Sequence, residues 1–470
     1  MSTNNQGLNQ GKLHRGLKNR HIQMIALGGA IGTGLFYGSG TTIKMAGPAI
    51  TLAYVIGGII IYLIMRGLGE MSVHNPVSGS FSYYANEYWG EFPGFFSGWN
   101  YWFNYIVVSM AELSVVGIYV NYWFPNVPIW ISSAIFLVVI TLINIASVKA
   151  YGEIEFWFAI IKVIAIISMI VFGIFIVLFG IGNHGVATGI SNLWTHGGFM
   201  PNGIWGLLIS LVVVVFSFGG VELIGITAGE ADNPSVTIPK ATNQVVYRIL
   251  IFYVGALLIL TCLYPWNMVG TQGSPFVLIF SKMGITGAAT VLNFVVLTAA
   301  LSAYNSGLYS NGRMLYSLAL QGNAPKILAK VSKSGSPYVG ILVSSLITAI
   351  AVILNFLLPG KIFLYLMSIA TIACILNWTM IMITQIKFRN KIGPEEVKKL
   401  KFKLPFFPYS NYICIAFMAL VVVLMAFLPD FVYALYVCPI WIIILYAAYK
   451  LKKKTAKKDV FYAKDDDINQ

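Results

Sequence analysis

The stretch at residues 25–40, IALGGAIGTGLFYGSG, decides how this chain is read. It is apolar enough for a membrane interior, yet it carries Gly28, Gly29, Gly32, Gly34, Gly38 and Gly40. Each glycine weakens a helix by about 0.8–1.0 kcal/mol relative to alanine, and clustered glycines let the backbone leave helical geometry. Inside a bilayer, unwound backbone persists only where it is buried in protein or lines a cavity. The stretch therefore predicts a broken helix built around a binding site. A second stretch at residues 216–229, FSFGGVELIGITAG, has the same character. Two interrupted apolar segments in matching positions of two halves point to a site near the membrane midplane.

The surrounding chain is membrane protein. Of its 470 residues, 58% are apolar and only 10% charged, with mean hydropathy +0.78; ordinary soluble domains carry about 25% charged residues. Residues 1–20 are polar and basic with no apolar core, so no cleavable signal peptide is expected. Apolar windows of spanning length give about twelve spans, near residues 22–44, 49–69, 96–122, 129–148, 156–180, 204–228, 246–264, 288–315, 338–357, 363–386, 412–427 and 431–451. The predicted fold class is an all-α integral membrane protein. The predicted organisation is a cytoplasmic N-terminal segment (1–20), one membrane domain (21–451) and a cytoplasmic tail (452–470), charged and expected to be disordered. The longest loops, at 71–95, 181–203, 264–287, 318–337 and 387–411, carry the Pro, Gly and polar residues of connections.

The net charge of +14 first suggests an anionic partner. Its distribution argues against nucleic acid. Lys12, Arg15, Lys18 and Arg20 precede the first span, and Lys326, Lys330 and Lys333 follow the eighth. Lys387, Arg389, Lys391, Lys398, Lys399, Lys401 and Lys403 separate spans ten and eleven, and another cluster begins at Lys450. With about twelve spans all of these share one side, against Lys44, Lys282 and Lys361 on the other. The positive-inside rule then puts both termini in the cytoplasm, with anionic lipid as the partner of that face. Cys262, Cys374, Cys414 and Cys438 show neither metal spacing nor a pairing pattern and read as small packing residues. The histidines form no metal pattern either; His14, His21 and His74 are assigned to the cytoplasmic side. No cofactor or metal is expected.

Breaks in spans one and six suggest two five-span repeats of inverted topology followed by two further helices. At Gly32-Thr33-Gly34, unwinding frees N–H groups at the start of a half-helix, which attract a carboxylate through unpaired donors and the helix dipole; the Thr33 hydroxyl can assist. The plainer alternative is close helix packing through small residues. A nucleotide-binding reading of these glycines fails for want of a strand–turn–helix context. At Phe218-Gly219-Gly220, a break frees carbonyls, which suit an ammonium group. A carboxylate site facing an ammonium site has the shape of a free α-amino acid.

Three ionisable residues sit inside the spans: Glu112, Lys162 and Glu222. Each costs roughly 2.5–3.5 kcal/mol at a helix centre, so a function is the default reading. Lys162 lies about two turns into span five; either it snorkels to the interface, or its ammonium braces the first broken helix and loses its proton during transport. Glu222, just after the second break, is a gate or a proton-linked group. Glu112 is equally readable as a buried structural partner. The aromatic run at 99–105, WNYWFNY, fits an interfacial belt, while Tyr105 and Ser109 are placed to reach a midplane cavity. Tyr304 and Asn305 in span eight are further candidates, with packing as the alternative.

These segments resemble the amino-acid–polyamine–organocation superfamily, and within it the bacterial amino acid transporter family. The resemblance runs from about residue 17 to 450 and rests on RGLKNRHIQMIALGGAIGTGLF from Arg15, AGP at Ala46, GEMSVHNP from Gly69, YGEIEFWFAIIKV from Tyr151, FSFGGVELIGITAGEADNP from Phe216, RILIFYVG from Arg248, LTAALSAYNS from Leu297 and RMLYSLALQGNAPK from Arg313. It implies a LeuT-like fold of five-plus-five inverted repeats with broken helices one and six, in a multi-pass bacterial cell-membrane protein. It also implies proton-coupled import of an L-amino acid. Gly32, Thr33 and Gly34 would bind the substrate carboxylate, carbonyls at Phe216 and Gly219 the amino group, and Ala30 a further carbonyl contact. Lys162 matches the lysine that takes the place of a sodium ion in proton-coupled relatives. SGWNYW, MAEL, EADNPSVTIPKATNQVVYRILIFY and QGNAPK are similar to aromatic amino acid and phenylalanine permeases, whereas HNPVSGS and SPFVLIF are also similar to proline and threonine/serine permeases. An amino acid exchanger would share these features. A channel would need a continuous polar pore or filter, and an enzyme clustered catalytic groups in a cleft; the sequence offers neither.

Overall fold

The computed structural model describes residues 24, 31–77, 79–227, 233–271, 273–358 and 362–468, with side chains to 454. Ala30, Gly28, Gly29, Lys361 and the basic residues ahead of the first span lie outside the described residues. The described residues are helical and contain no strand. Nine helical stretches among them are long and apolar enough to cross a membrane, and two shorter apolar helices, Gly203–Ser217 and Tyr409–Met425, accompany them. Large apolar side chains point outward along these helices: Leu142 is 62% exposed, Leu346 76% and Ile443 67%. Apolar surface of that extent belongs against lipid rather than water.

The chain begins with α1 (Thr33–Phe36), α2 (Gly38–Ala46) and α3 (Ile50–His74). The short α4 (Ser80–Tyr88) leads to α5 (Glu91–Asn121), α6 (Ile129–Ala146) and α7 (Val148–Phe179). The second interrupted segment supplies α8 (Gly203–Ser217) and α9 (Leu223–Thr227). After α10 (Pro234–Arg248), a π-helical turn at Ile249–Gly255 passes into α11 (Ala256–Leu263), followed by α12 (Pro275–Lys282) and α13 (Thr286–Leu320). The last elements are α14 (Tyr338–Thr348), α15 (Ile350–Leu357), α16 (Ile362–Lys399), α17 (Tyr409–Met425) and α18 (Val432–Ile468).

Several helices run past the limits that hydropathy predicts, always on their polar side. Span five starts at Val148 rather than 156, the helix preceding span seven starts at Pro234 rather than 246, and span ten continues to Lys399. The predicted loops at 71–95 and 264–287 contain α4 and α12, and the tail expected to be disordered is helical to Ile468. Hydropathy registers only the lipid-facing part of a helix, so polar turns beyond the bilayer read as loop. The earlier start of α7 has one important effect. Lys162 stands fourteen residues after Val148, about four turns in, and is fully buried. It does not snorkel.

The core is built on α5 and α13, which pack along most of their length, with α16 closing over α5 and α7 over α13. Among the helices with mapped burial, α13 is buried nearly all round, including Thr298, Ser302, Asn305, Ser306, Ser310 and Asn311. Buried polar groups require partners, so this helix carries much of the interior hydrogen bonding. At the end bearing the lysine-rich loops, Glu70 of α3 is fully buried. Its carboxylate accepts from Arg389 Nε (2.7 Å) and Nη2 (2.6 Å), from Gln385 Nε2 (3.1 Å) and from the Leu404 N–H (2.5 Å). Arg66, one turn earlier, donates through Nε to the Lys403 carbonyl (3.1 Å) and covers the Phe402 ring at 3.9 Å. These contacts fasten α3, α16 and the segment before α17 to one another.

Candidate functional site

On the described side of the first predicted break, the backbone behaves as the glycines predict, while residues 25–30 lie outside the described residues. Gly32 is extended (φ −123°, ψ −154°) and the helix starts only at Thr33. Two ionisable side chains address this break. Lys162 Nζ on α7 donates to the Ile31 carbonyl (3.1 Å), which unwinding leaves without a helical partner. From α5, Glu112 Oε1 accepts from the Thr33 N–H (3.3 Å). The half-helix N-terminus therefore already carries a carboxylate, the arrangement its free donors and dipole favour. Lys162 also donates to Ser302 Oγ on α13 (2.8 Å).

The second interruption separates α8 from α9. Its turn passes through Gly220 at φ 98°, a left-handed value that favours glycine. Neutral groups hold it. Tyr253 OH donates to the Ser217 carbonyl (3.1 Å), Tyr54 OH donates to Ser217 Oγ (3.0 Å), and the Gly219 N–H donates to the Phe216 carbonyl (3.0 Å). Glu222, fully buried, accepts from Tyr105 OH on α5 (3.2 Å) and from Trp378 Nε1 on α16 (3.3 Å). The second break is thus tied to the two helices that flank it.

Between the breaks lies a cavity of 40 Å³, room for a few waters. Gly32, Gly34, Phe216, Gly219, Tyr105 and Glu112 line it, together with Asn104, Val108, Ser217, Gly220, Leu223, Ala303, Ser306, Ala370 and Cys374. The breaks touch here: a Cβ on Gly34 would lie 2.5 Å from Ser217 Cα, so only glycine allows the two segments to approach this closely.

Thr33 and Ser109 are not part of this wall, and two further predicted site residues point elsewhere. Phe218 packs against Tyr54 and Tyr253, and Tyr304 sits among Leu113, Ile140, Leu308 and Ile341 on the opposite face of α13. Asn305 joins a buried network instead of the cavity. Cys374, read as packing, lines the wall. Glu155, absent from the sequence reading, is fully buried beside Lys162, its carboxylate accepting from Ser302 Oγ and from Asn305 Nδ2 (3.2 Å). Its signal was a carboxylate in YGEIEF, at a position that hydropathy left outside span five. Among the described residues no group of His, Cys, Asp and Glu is placed to hold a metal.

Comparison with known proteins adds the following. The family model for amino acid permeases matches residues 21–461. The chain is 55% identical over 446 residues to the aromatic amino acid transport protein AroP of Escherichia coli K12, covering 95% of this chain and 97% of that protein. AroP of Salmonella typhimurium LT2 is 53% identical over the same length. The amino acid permease YtnA of Bacillus subtilis is 51% identical over 438 residues, 93% of this chain and 95% of that one.

Proposed function

For a chain that belongs to the amino acid permease family, we propose import of aromatic amino acids across the bacterial cell membrane, driven by proton symport. Membership makes it a multi-pass membrane transporter of amino acids rather than an enzyme. The aromatic preference rests on one observation: identity of 53–55% to aromatic amino acid transport proteins over 95% of the chain.

A twelve-span topology with two inverted five-span repeats accommodates the helices. Gly38–His74 is one long stretch that turns at Gly47 (φ 61°) and so holds parts of two spans, and α8 and α17 supply the shorter ones. Both termini are then cytoplasmic, with the lysine-rich loops against anionic lipid. The substrate carboxylate takes the N–H groups at Gly32, Thr33 and Gly34, displacing or sharing the position of Glu112. The α-ammonium takes carbonyls at Phe216 and Gly219, with Ala30 contributing on the other side. The aromatic side chain lies against Val108, Ala303, Ala370 and Cys374, and Tyr105 swings to admit it. Lys162 carries the coupling proton, and Glu112 and Glu222 fasten the breaks between transport steps. Release to the inside follows rocking of the two broken helices with their neighbours.

The test is uptake of labelled phenylalanine into proteoliposomes under an inward proton gradient. Protonophore-sensitive accumulation blocked by unlabelled tyrosine and tryptophan is expected. Inserted, folded protein that takes up proline or threonine but no phenylalanine would overturn the aromatic assignment. Phenylalanine uptake insensitive to the gradient would overturn symport and leave exchange.

A further inference from the structure

The aromatic run at 99–105 sends Tyr105 to the central cavity and two tryptophans to another place. Trp99 and Trp102, with Phe95 one turn earlier, form a stripe on one face of α5 and wall a second groove. Its opposite wall is α18, through Trp441, Leu445, Ala448 and Lys452, and residues 322–325, which follow α13, close one end. The groove holds about 450 Å³, within the range of about 300–1,000 Å³ usual for ligand sites. It shares no lining residue with the substrate cavity. Along most of its length it offers an occupant no hydrogen bond from the indoles. Trp99 Nε1 donates to the Asn323 carbonyl (3.0 Å), Trp102 Nε1 to Ser344 Oγ (3.0 Å) and Trp441 Nε1 to Asn100 Oδ1 (3.2 Å). These bonds, the edge-on contact of Trp99 with Trp102 (5.4 Å) and the stacking of Trp441 on Phe103 (4.3 Å) fix the rings. What they leave to the groove is ring carbon.

One end of the groove is charged. Lys452 Nζ stands 6.0 Å from the centre of the Phe95 ring and donates to Asn323 Oδ1, a neutral acceptor. An ammonium has three protons to give. The nearby carboxylate, Glu91, is engaged by Lys453 Nζ (3.2 Å) and by Tyr449 OH (3.1 Å). Lys450 and Lys454 flank Lys452 on α18, and Lys326 follows Pro325 of the groove. An anion is the fitting partner here. Length then selects the kind of anion. Lys452 stands eleven residues after Trp441, about 16 Å along the helix, and half of a hydrocarbon core is about 15 Å. The groove thus runs from headgroup depth to the middle of the bilayer, the reach of one acyl chain. Protein gives α18 little other cover: only 17% of its apolar window is buried, so the groove opens on lipid.

We propose that this groove seats one anionic phospholipid from the leaflet at the lysine-rich end, its phosphate on Lys452 and one acyl chain along Trp99, Trp102 and Trp441. The proposal deepens the reading that sets anionic lipid against that end, and rests on it. Diffuse attraction to a charged leaflet needs only lysines. A seat needs a cation and an apolar channel in register, and tryptophan beside lysine is the pairing that membrane interfaces favour. A lipid held there touches α5, α18 and the connection after α13 at once. Its binding therefore ties the last helix to the core that carries the substrate cavity.

The test reads the tryptophans of the wall. The full chain is reconstituted in phosphatidylcholine vesicles, and phosphatidylglycerol with brominated chains is added at rising mole fraction, since bromine quenches indole fluorescence on contact. A quenching component that saturates at low mole fraction is expected, and brominated phosphatidylcholine should not give it. Lys452→Gln should raise the midpoint of that component roughly fivefold, the scale of one basic residue against an anionic headgroup, while Lys452→Arg stays near wild type. Lys401→Gln, the same loss of charge in the connection between α16 and α17, should leave the midpoint unchanged. Ala448→Phe, which fills the groove, should remove the component. Equal midpoints in wild type, Lys452→Gln and Ala448→Phe would overturn the seat while anionic lipid at that end stands. Brominated phosphatidylglycerol that quenches wild type no better than phosphatidylcholine would overturn both. Dimers in the same vesicles that Ala448→Phe abolishes would overturn the proposal by giving the groove to a second copy of the chain. Should Ala448→Phe fail to insert, Lys452→Gln decides against Lys401→Gln: a shift in the first alone supports the seat, and equal shifts overturn it.

Discussion

The two helix breaks look alike in sequence and are held in opposite ways. At the first, an ammonium takes the Ile31 carbonyl and a carboxylate takes the Thr33 N–H. At the second, two tyrosine hydroxyls hold Ser217, and an indole and a phenol hold the carboxylate of Glu222. Hydrogen bonds from charged groups are worth roughly 1.5–3 kcal/mol and neutral ones about 0.5–1.5 kcal/mol. Both charged groups at the first break can gain or lose a proton; at the second, Glu222 apart, the bonds join neutral groups and depend on packing. On the symport reading proposed above, the first break is the one to feel the driving ion and the second the one to close on the substrate.

The hardest blow to this contrast is Lys162→Ala. It should abolish concentrative uptake, leaving accumulation at equilibrium, and strand the buried Ile31 carbonyl at a cost of about 1–3 kcal/mol. Full accumulation in an inserted variant, measured under a proton gradient, would remove the charged side of the comparison.

A glycine pair probes geometry next. Gly34→Ala places a methyl 2.5 Å from Ser217 Cα, whereas the nearest atom to a methyl on Gly219 is the Phe216 carbonyl at 3.2 Å. Overpacking of the first kind costs about 1–3 kcal/mol, so substrate affinity measured by equilibrium binding should fall roughly tenfold or more. Gly219→Ala should stay close to wild type; equal losses in both would mean that the contact between breaks is not what sets the site.

Glu222→Ala leaves the Tyr105 hydroxyl and the Trp378 N–H facing a buried void. A stability loss of about 1–3 kcal/mol is expected for each stranded donor, with weaker substrate binding but an unchanged pH profile of uptake. A shifted profile would move Glu222 to the proton-sensing side. The mildest change is Tyr253→Phe, which deletes one neutral bond to Ser217. A fall of about 0.5–1.5 kcal/mol in thermal or denaturant stability, with uptake and its pH dependence kept, is the expected result.

Both breaks were legible in the sequence because glycine in an apolar run is a local conflict needing no knowledge of neighbours. Lys162, Glu112 and Glu222 were legible for the same reason, as charges where charge is costly. Tyr304 was not. Among the helices with mapped burial, α13 is buried nearly all round, so it offers no polar stripe to say which face meets the cavity; Ala303 and Ser306 line it while Tyr304, between them, is turned away. Ala370 and Cys374 could not be read because a wall of small residues is defined only by what packs across from it. Glu155 was missed because the polar turn YGEIE looks like the approach to a helix and is in fact its second turn.

The clasp on Glu70 bears on how the molecule meets a protease. The connection between α16 and α17 contains Lys401 and Lys403, obvious points for trypsin in an intact membrane protein. A protease must draw its target into an extended strand, freeing the carbonyl and N–H on either side of the cut. The bond between Lys403 and Leu404 has neither to spare: its carbonyl is held by Arg66 and its N–H by Glu70. Cleavage after Lys403 therefore waits on the opening of a buried ion pair. A surface connection that composition marks as soft should outlast the exposed lysines around it.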